Sequence, residues 1–375
     1  MKKVLTLVLC LAVAISFIGC NTRAQVEDKS SAPVADKPVA PAYPKITVPI
    51  ATQPQMHGYL LQRAQNDGYY SQFGVTGEFQ MYNAGGPMNE ALAAEQWKIG
   101  GIGAAAVISC VRFNAKIVAA ANYESEAHLI ITRKDSDIMK TQGYIKEFPK
   151  LYGTPETIKG KTIISTVGST LHYMAEKYVR AMGLEMTDVE ILNMAPAAAI
   201  AAFKAGEGDI LTTTSPFSWA LDLEGNEYAV IGNITDVGGQ VPSVLLASEK
   251  TVAEEPDAIV QTLAGFLKTV EVAKNDRNGT LESLKAFLEE NGFEPNDEQL
   301  VFEYDTKPIF TIDEQLELFT PDSDGIAAIK SEFIEISKYL LSLGTITAEE
   351  QVKFAETAFD SSYLEKVAKL PEFQK

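Results

Sequence analysis

The sequence predicts an α/β fold of two similar lobes. Two stretches of the chain repeat one order of elements: strand, small-residue turn, helix, strand, helix, short strand, small-residue turn. Strands alternating with helices in this way imply mainly parallel sheets flanked by helices. The chain has 375 residues, 46% of them hydrophobic. That is enough for a substantial core, and long enough to favour two lobes over one compact unit.

The first stretch begins near Lys45, where Ile46, Val48 and Ile50 alternate as in a strand. A polar turn over 52–58 leads to a helix expected over 59–66 and closed by Gly68. A strand over 75–82 precedes Gly85-Gly86-Pro87, and Pro87 suits a first helical position. That helix is expected to run to about Trp97, followed by an apolar strand over 99–102, another helix, and a strand over 115–121.

The second stretch begins with an apolar strand at Thr162-Ile163-Ile164-Ser165 and a turn over 166–170. Leu171, Met174, Ala175, Tyr178, Val179 and Met182 then fall on one helical face, and Gly183 marks the stop. A strand over 189–193, an Ala-rich helix over 196–205 and a strand over 209–212 follow. The turn Thr213-Thr214-Ser215-Pro216 is expected to open a further helix. Beyond about Glu254 the pattern is helical, with Ile259, Leu263, Phe266, Leu267 and Val270 on one face.

At the N-terminus, Lys2 and Lys3 precede an apolar run over 4–18 that is too short to span a bilayer comfortably. Phe17-Ile18-Gly19-Cys20 resembles the lipobox of bacterial lipoproteins, with Phe17 where Leu is usual. Residues 1–19 are therefore expected to be a signal peptide and Cys20 the lipidated residue. Residues 20–44, rich in Ala, Pro, Asp, Lys and Ser, read as a flexible tether. The implied location is outside the cytoplasm, held to a membrane by lipid. Of three cysteines, only Cys110 would remain without lipid in the mature chain, and its apolar neighbours predict a buried core residue. The formal charge of −18 argues against nucleic acid as a partner.

Gly160-Lys161-Thr162-Ile163 and Gly168-Ser169-Thr170-Leu171-His172-Tyr173 carry a family resemblance. So do residues 197–209, Thr214-Ser215-Pro216-Phe217, Gly101-Ile102-Gly103-Ala104-Ala105 and Phe359-Asp360-Ser361-Ser362-Tyr363-Leu364. Together they resemble the type II periplasmic solute-binding proteins of ABC importers, in the aliphatic-sulfonate, taurine and nitrate group. The first lobe departs from that group at Trp97-Lys98-Ile99-Gly100, where an acidic residue is usual; the second keeps it as Asp209.

The resemblance implies residues 45–126 with 243–375 as lobe 1 and 127–242 as lobe 2. Each lobe would hold a mixed, mainly parallel sheet, and a two-stranded hinge would join them near Glu124 and Gly239. It further implies a monomeric receptor that captures a small organic anion or zwitterion and delivers it to a permease and ATPase. A ligand sensor for a signalling receptor and a thiamine-pyrimidine synthase-like enzyme are the alternatives.

Four turns are then expected at the cleft. They supply Gln55 and His57; Gly86; Gly168, Ser169, Thr170 and His172; and Thr214, Ser215 and Phe217. Ala105 joins them from the first-lobe motif. Ser169 or Thr170 could cap a helix and present N–H groups to an anion. Glu124 and Glu126 are expected as solvated hinge carboxylates, with pairing to a ligand amino group as the other reading. No arginine falls in these turns. No catalytic residue, metal site or cofactor is expected. The histidines are His57, His128 and His172, no G-x-S-x-G elbow is present, and Asp322-Ser323-Asp324-Gly325 is too short for a calcium loop.

Overall fold

A computed structural model of the protein describes residues 43–374 except residue 125. The expected signal peptide, Cys20 and nearly all of the tether lie outside the described residues. The chain first lays down β1 (Ile46–Thr52), β2 (Val75–Met81), β3 (Ile99–Ile102) and β4 (Lys116–Tyr123). It then forms β5 (His128–Arg133), β6 (Thr162–Ser165), β7 (Glu190–Asn193), β8 (Ile210–Thr214) and β9 (Tyr228–Asn233), and returns as β10 (Pro242–Ala247).

Two five-stranded sheets result, ordered β2-β1-β3-β10-β4 and β7-β6-β8-β5-β9. In each, the fourth strand runs antiparallel to its neighbours, and the first three strands pair in parallel. That fourth strand is contributed across the junction: β5 directly follows the exit from the first sheet, and β10 directly follows the exit from the second. The two connecting segments lie side by side, Glu124 N–H donating to the Val241 carbonyl at 2.9 Å. All six residues of β10 are buried, as expected of a strand covered on both faces.

The helix face expected over Leu171–Met182 is buried, within helix Thr170–Ala181. Its opposite side is covered as well, because Tyr339 of helix Ala328–Ser342 packs on His172 and Tyr173 at ring distances of 5.6 and 5.3 Å. The expected face of helix Pro256–Asn275 is wholly buried. Cys110 is buried, and burial pushes its thiol up to about 12.

Several boundaries differ from expectation. The first helix is Met56–Asn66, three residues longer at its start, so His57 and Gly58 belong to its first turn. Gly58 permits this early start: a Cβ there would lie 2.0 Å from the Gln53 carbonyl oxygen. The next helix is Gly85–Ala93, which makes Pro87 its third residue, where the missing N–H is still outside the helical ladder. It stops before Trp97, whose buried indole N–H instead donates to the Met88 carbonyl at 2.9 Å. Strand β8 continues through Thr213 and Thr214, which pair with Leu129 and His128. The helix expected after Pro216 is a single 3-10 turn, Phe217–Ala220.

Strand β3 approaches the first helix closely, and Gly101 makes this possible. A Cβ at Gly101 would sit 2.6 Å from Cδ2 of His57. Gly101→Ala should therefore destabilise the protein by about 1–3 kcal/mol through overpacking, read as a lower urea midpoint with an unchanged m-value.

Candidate functional site

A cleft lies where the two sheets face each other. Five helices begin at it. Gln55 precedes helix Met56–Asn66, Gly85 opens Gly85–Ala93, and Ala105 precedes Ala106–Phe113. Ser169 precedes Thr170–Ala181, and Pro196 opens Pro196–Lys204. The cleft holds about 80 Å³ of interior space and is open at its mouth, enough to seat a small solute.

The structure gathers Gln55, His57, Ala105, Ser169, Thr170, Thr214 and Phe217 onto its wall. Glu124 joins them. Gly85 lines the cleft in place of Gly86, because the helix start brings Gly85 against Ala105, 2.5 Å from where a Gly85 Cβ would be. Gly168 lies just outside, in the left-handed turn before the Ser169 cap. His172 is packed on Tyr339 and is not a wall residue. Ser215 is buried behind the wall. Gly239 packs against Ile234 in the return connection, its N–H donating to the Ile234 carbonyl at 2.9 Å.

Behind the wall sits a buried ionic cluster. Lys307, with no side-chain exposure, donates to Glu303 Oε1 at 2.6 Å, Gln55 Oε1 at 2.8 Å and the Ser215 carbonyl at 3.1 Å. Its Nζ is also 3.2 Å from Glu124 Oε2. The Ser215 hydroxyl donates to Glu303 Oε2. Glu124 is 3% exposed rather than solvated, which corrects the expectation from sequence; Glu126 is exposed. The other Glu124 oxygen accepts from Asn122 Nδ2 at 2.9 Å and the Ser243 hydroxyl at 3.4 Å. Burial alone would raise the Glu124 carboxyl, but Lys307, with smaller contributions from His128, His57 and Asn122, holds it at about 2. Burial pulls the Lys307 ammonium down, and Glu124 and Glu303 more than restore it, leaving it raised.

Both cleft histidines are neutral near pH 7, held down to about 4 chiefly by burial. His128 Nδ1 lies 2.9 Å from the Glu124 carbonyl oxygen, which only accepts, so Nδ1 carries the proton. Nε2 then accepts from the Thr170 hydroxyl at 3.0 Å. His57 differs: it is 1% exposed, and neither ring nitrogen has a hydrogen-bond partner.

Glu124 is therefore the one formally charged residue among the described residues on the wall. Two fields oppose each other there. Helix starts favour an anion by about 0.3–1 kcal/mol each at exposed sites. A unit charge about 4 Å away weighs roughly 4 kcal/mol at an effective dielectric of 20.

Sequence reasoning missed Lys307, Glu303 and His128. Glu303 and Lys307 stand four apart with the acid first, a helix-pair signal in a helical region, but surface helices carry many such pairs. His128 had no local cue beyond its place after the crossing.

These titrations predict acid sensitivity. His57, His128 and His172 all have folded values near 4, against 6.5 when unfolded. Between those values the unfolded chain takes up protons that the folded chain refuses, so stability falls as pH falls. Glu332, pushed up to about 7 by burial, acts oppositely above 4.5. Urea unfolding between pH 6 and 5 should show stability declining with a slope approaching about two protons.

Comparison with known proteins accords with this architecture. A protein of Brachyspira hyodysenteriae, named as an ABC transporter periplasmic binding protein, is 28% identical over 282 residues, 75% of this chain and 81% of its own. The taurine-binding periplasmic protein of Escherichia coli is 21% identical over 216 residues, 57% of this chain and 62% of its own. The alkanesulfonate-binding protein SsuA from Xanthomonas axonopodis pv. citri, solved bound to MOPS, superposes with a TM-score of 0.63 at 21% identity, covering 84% of this chain and 99% of that one. The nitrate-binding protein NrtA from Synechocystis PCC 6803 gives 0.64 at 13% identity, covering 89% and 91%. These relatives are named as binding proteins rather than enzymes, and the structural likenesses show the periplasmic binding protein fold. The family model described as NMT1/THI5 like matches residues 53–280, and the chain belongs to that family.

Proposed function

We propose that the protein is an extracytoplasmic receptor, anchored by lipid at Cys20, that captures a small solute and delivers it to an ABC permease and its ATPase. The observation that carries the reading is the cleft, where five helix starts and residues from both sheets converge on a space of small-molecule size. Residues 45–126 with 243–375 act as one lobe and 127–242 as the other. They bend about the paired segments near Glu124 and Gly239. Closure follows from tighter binding to the closed arrangement than to the open one.

The solute is a small organic anion or zwitterion of the sulfonate-like class. Its acidic group meets the Ser169–Thr170 helix start, where Ser169 Oγ accepts from Leu171 N–H at 3.2 Å. The protein acts as a monomer and performs no chemistry on its cargo.

A thermal-shift screen of sulfonates, nitrate, aromatic acids and pyrimidines tests the reading. A true ligand at 100 times its Kd should add roughly 2.7 kcal/mol of stability. Stabilisation by none of them, with measurable turnover of one, would sink it. Replacing Ser169 and Thr170 together by Ala should weaken an acidic ligand about tenfold, the loss of roughly 1.4 kcal/mol; unchanged affinity rejects this end of the site. Cys20→Ala should move the protein from the membrane fraction to the soluble fraction on cell fractionation, and continued membrane association would reject the anchor.

A further inference from the structure

The wall of the cleft has a composition that narrows its ligand. Among the described residues, neither a lysine nor an arginine lines it, and Glu124 is its formal charge. The cation behind it, Lys307, is in contact with two carboxylates and two further oxygens. By formal count, the one ammonium of Lys307 faces two carboxylates, Glu124 and Glu303.

Two of the hydrogen-bonding groups, Thr170 and Glu124, point the same way. The Thr170 hydroxyl proton is given to His128, leaving its oxygen as an acceptor. The Glu124 side chain accepts only, whereas Gln55, its oxygen given to Lys307, keeps its amide N–H groups as donors for an acidic partner. His57 lines the same cleft, buried, with two unpartnered ring nitrogens. A neutral imidazole offers one donor and one acceptor. Leaving both unused in a buried position is costly, so a native wall of this kind is built for an occupant that uses them.

We propose that the solute presents a protonated or N–H-donating nitrogen to the Glu124 and His57 side of the cleft, so that nitrate and simple alkanesulfonates are not its physiological occupants. This rests on the receptor reading and narrows it to zwitterions and nitrogenous solutes. Helix starts still accommodate an acidic group at the Ser169 side. Glu124 supplies the counter-charge that a bare oxyanion would meet as repulsion.

The test uses matched pairs on alkyl and aromatic scaffolds: each sulfonate or carboxylate beside its amino-substituted counterpart, titrated calorimetrically into the mature protein. In every pair where either member binds, the amino member should bind at least tenfold tighter. Equal or tighter binding of the acids overturns the inference while leaving the receptor reading standing. Binding by no member overturns the inference, and the broader thermal-shift screen then judges the receptor reading by itself. Glu124→Gln should abolish the preference, but it also disturbs Lys307. His57→Phe supplies the second arm, since it keeps a ring beside Gly101 and removes both nitrogens. It should lower affinity for the amino member at least tenfold while the unliganded Tm stays equal or rises. Unchanged affinity in this variant overturns the role given to His57.

Discussion

A lysine ammonium with no access to water survives only where acceptors replace its hydration. Lys307 has four, and they come from distant parts of the chain. Gln55 leads out of β1, Glu124 follows β4, Ser215 follows β8, and Glu303 belongs to helix Asp297–Asp305. One nitrogen thus ties the start of helix Met56–Asn66, the crossing segment, the second sheet and the C-terminal helices together. Such a cluster adds little net stability relative to a well-packed apolar one. Removing a single member leaves an uncompensated buried charge, at a cost of about 3–5 kcal/mol. Its contribution is therefore mainly geometric: it fixes where Gln55 and Glu124 stand on the cleft wall.

His57 shows the complementary case. Its ring fits against Gly101, where any side chain would collide. Yet its two nitrogens have no protein partner. A core built only for stability would place an apolar ring here. An imidazole at this point is a local rule broken inside an otherwise consistent core, and functional sites are where such breaks are expected.

What the sequence disclosed follows from which forces are local. The alternation of Ile46, Val48 and Ile50 and the helical face of Leu171, Met174, Tyr178 and Val179 are short-range patterns, and both elements formed where expected. Gln55, His57, Ser169, Thr170, Thr214 and Phe217, which the family resemblance implied for the cleft, lie on its wall. The start of the first helix was missed because Gln55 is a weak cap, without a side-chain bond to the helix. Thr213 and Thr214 read as turn residues, but β-branched side chains also suit strands, and pairing with β5 decided the matter. The burial of Glu124 was illegible for a different reason. Carboxylates are mostly exposed, and the lysine that reverses this lies 183 positions away in the chain.

The exchange of strands between the sheets explains why these polar groups collect where they do. The antiparallel strand of each sheet enters straight from the crossing, so β5 begins at His128 and β10 at Pro242 and Ser243. Polar residues at these entrances cannot retreat to the surface, because their strands run through the sheet interiors. They satisfy one another instead: His128 with Glu124 and Thr170, Ser243 with Glu124. Part of the wall of the cleft is consequently made from the same segments that connect the sheets. A solute that touches Glu124, His128 or Ser243 touches the connections themselves. Any preference it has for one arrangement of these residues is then also a preference for one arrangement of the sheets, which is the differential affinity that closure requires.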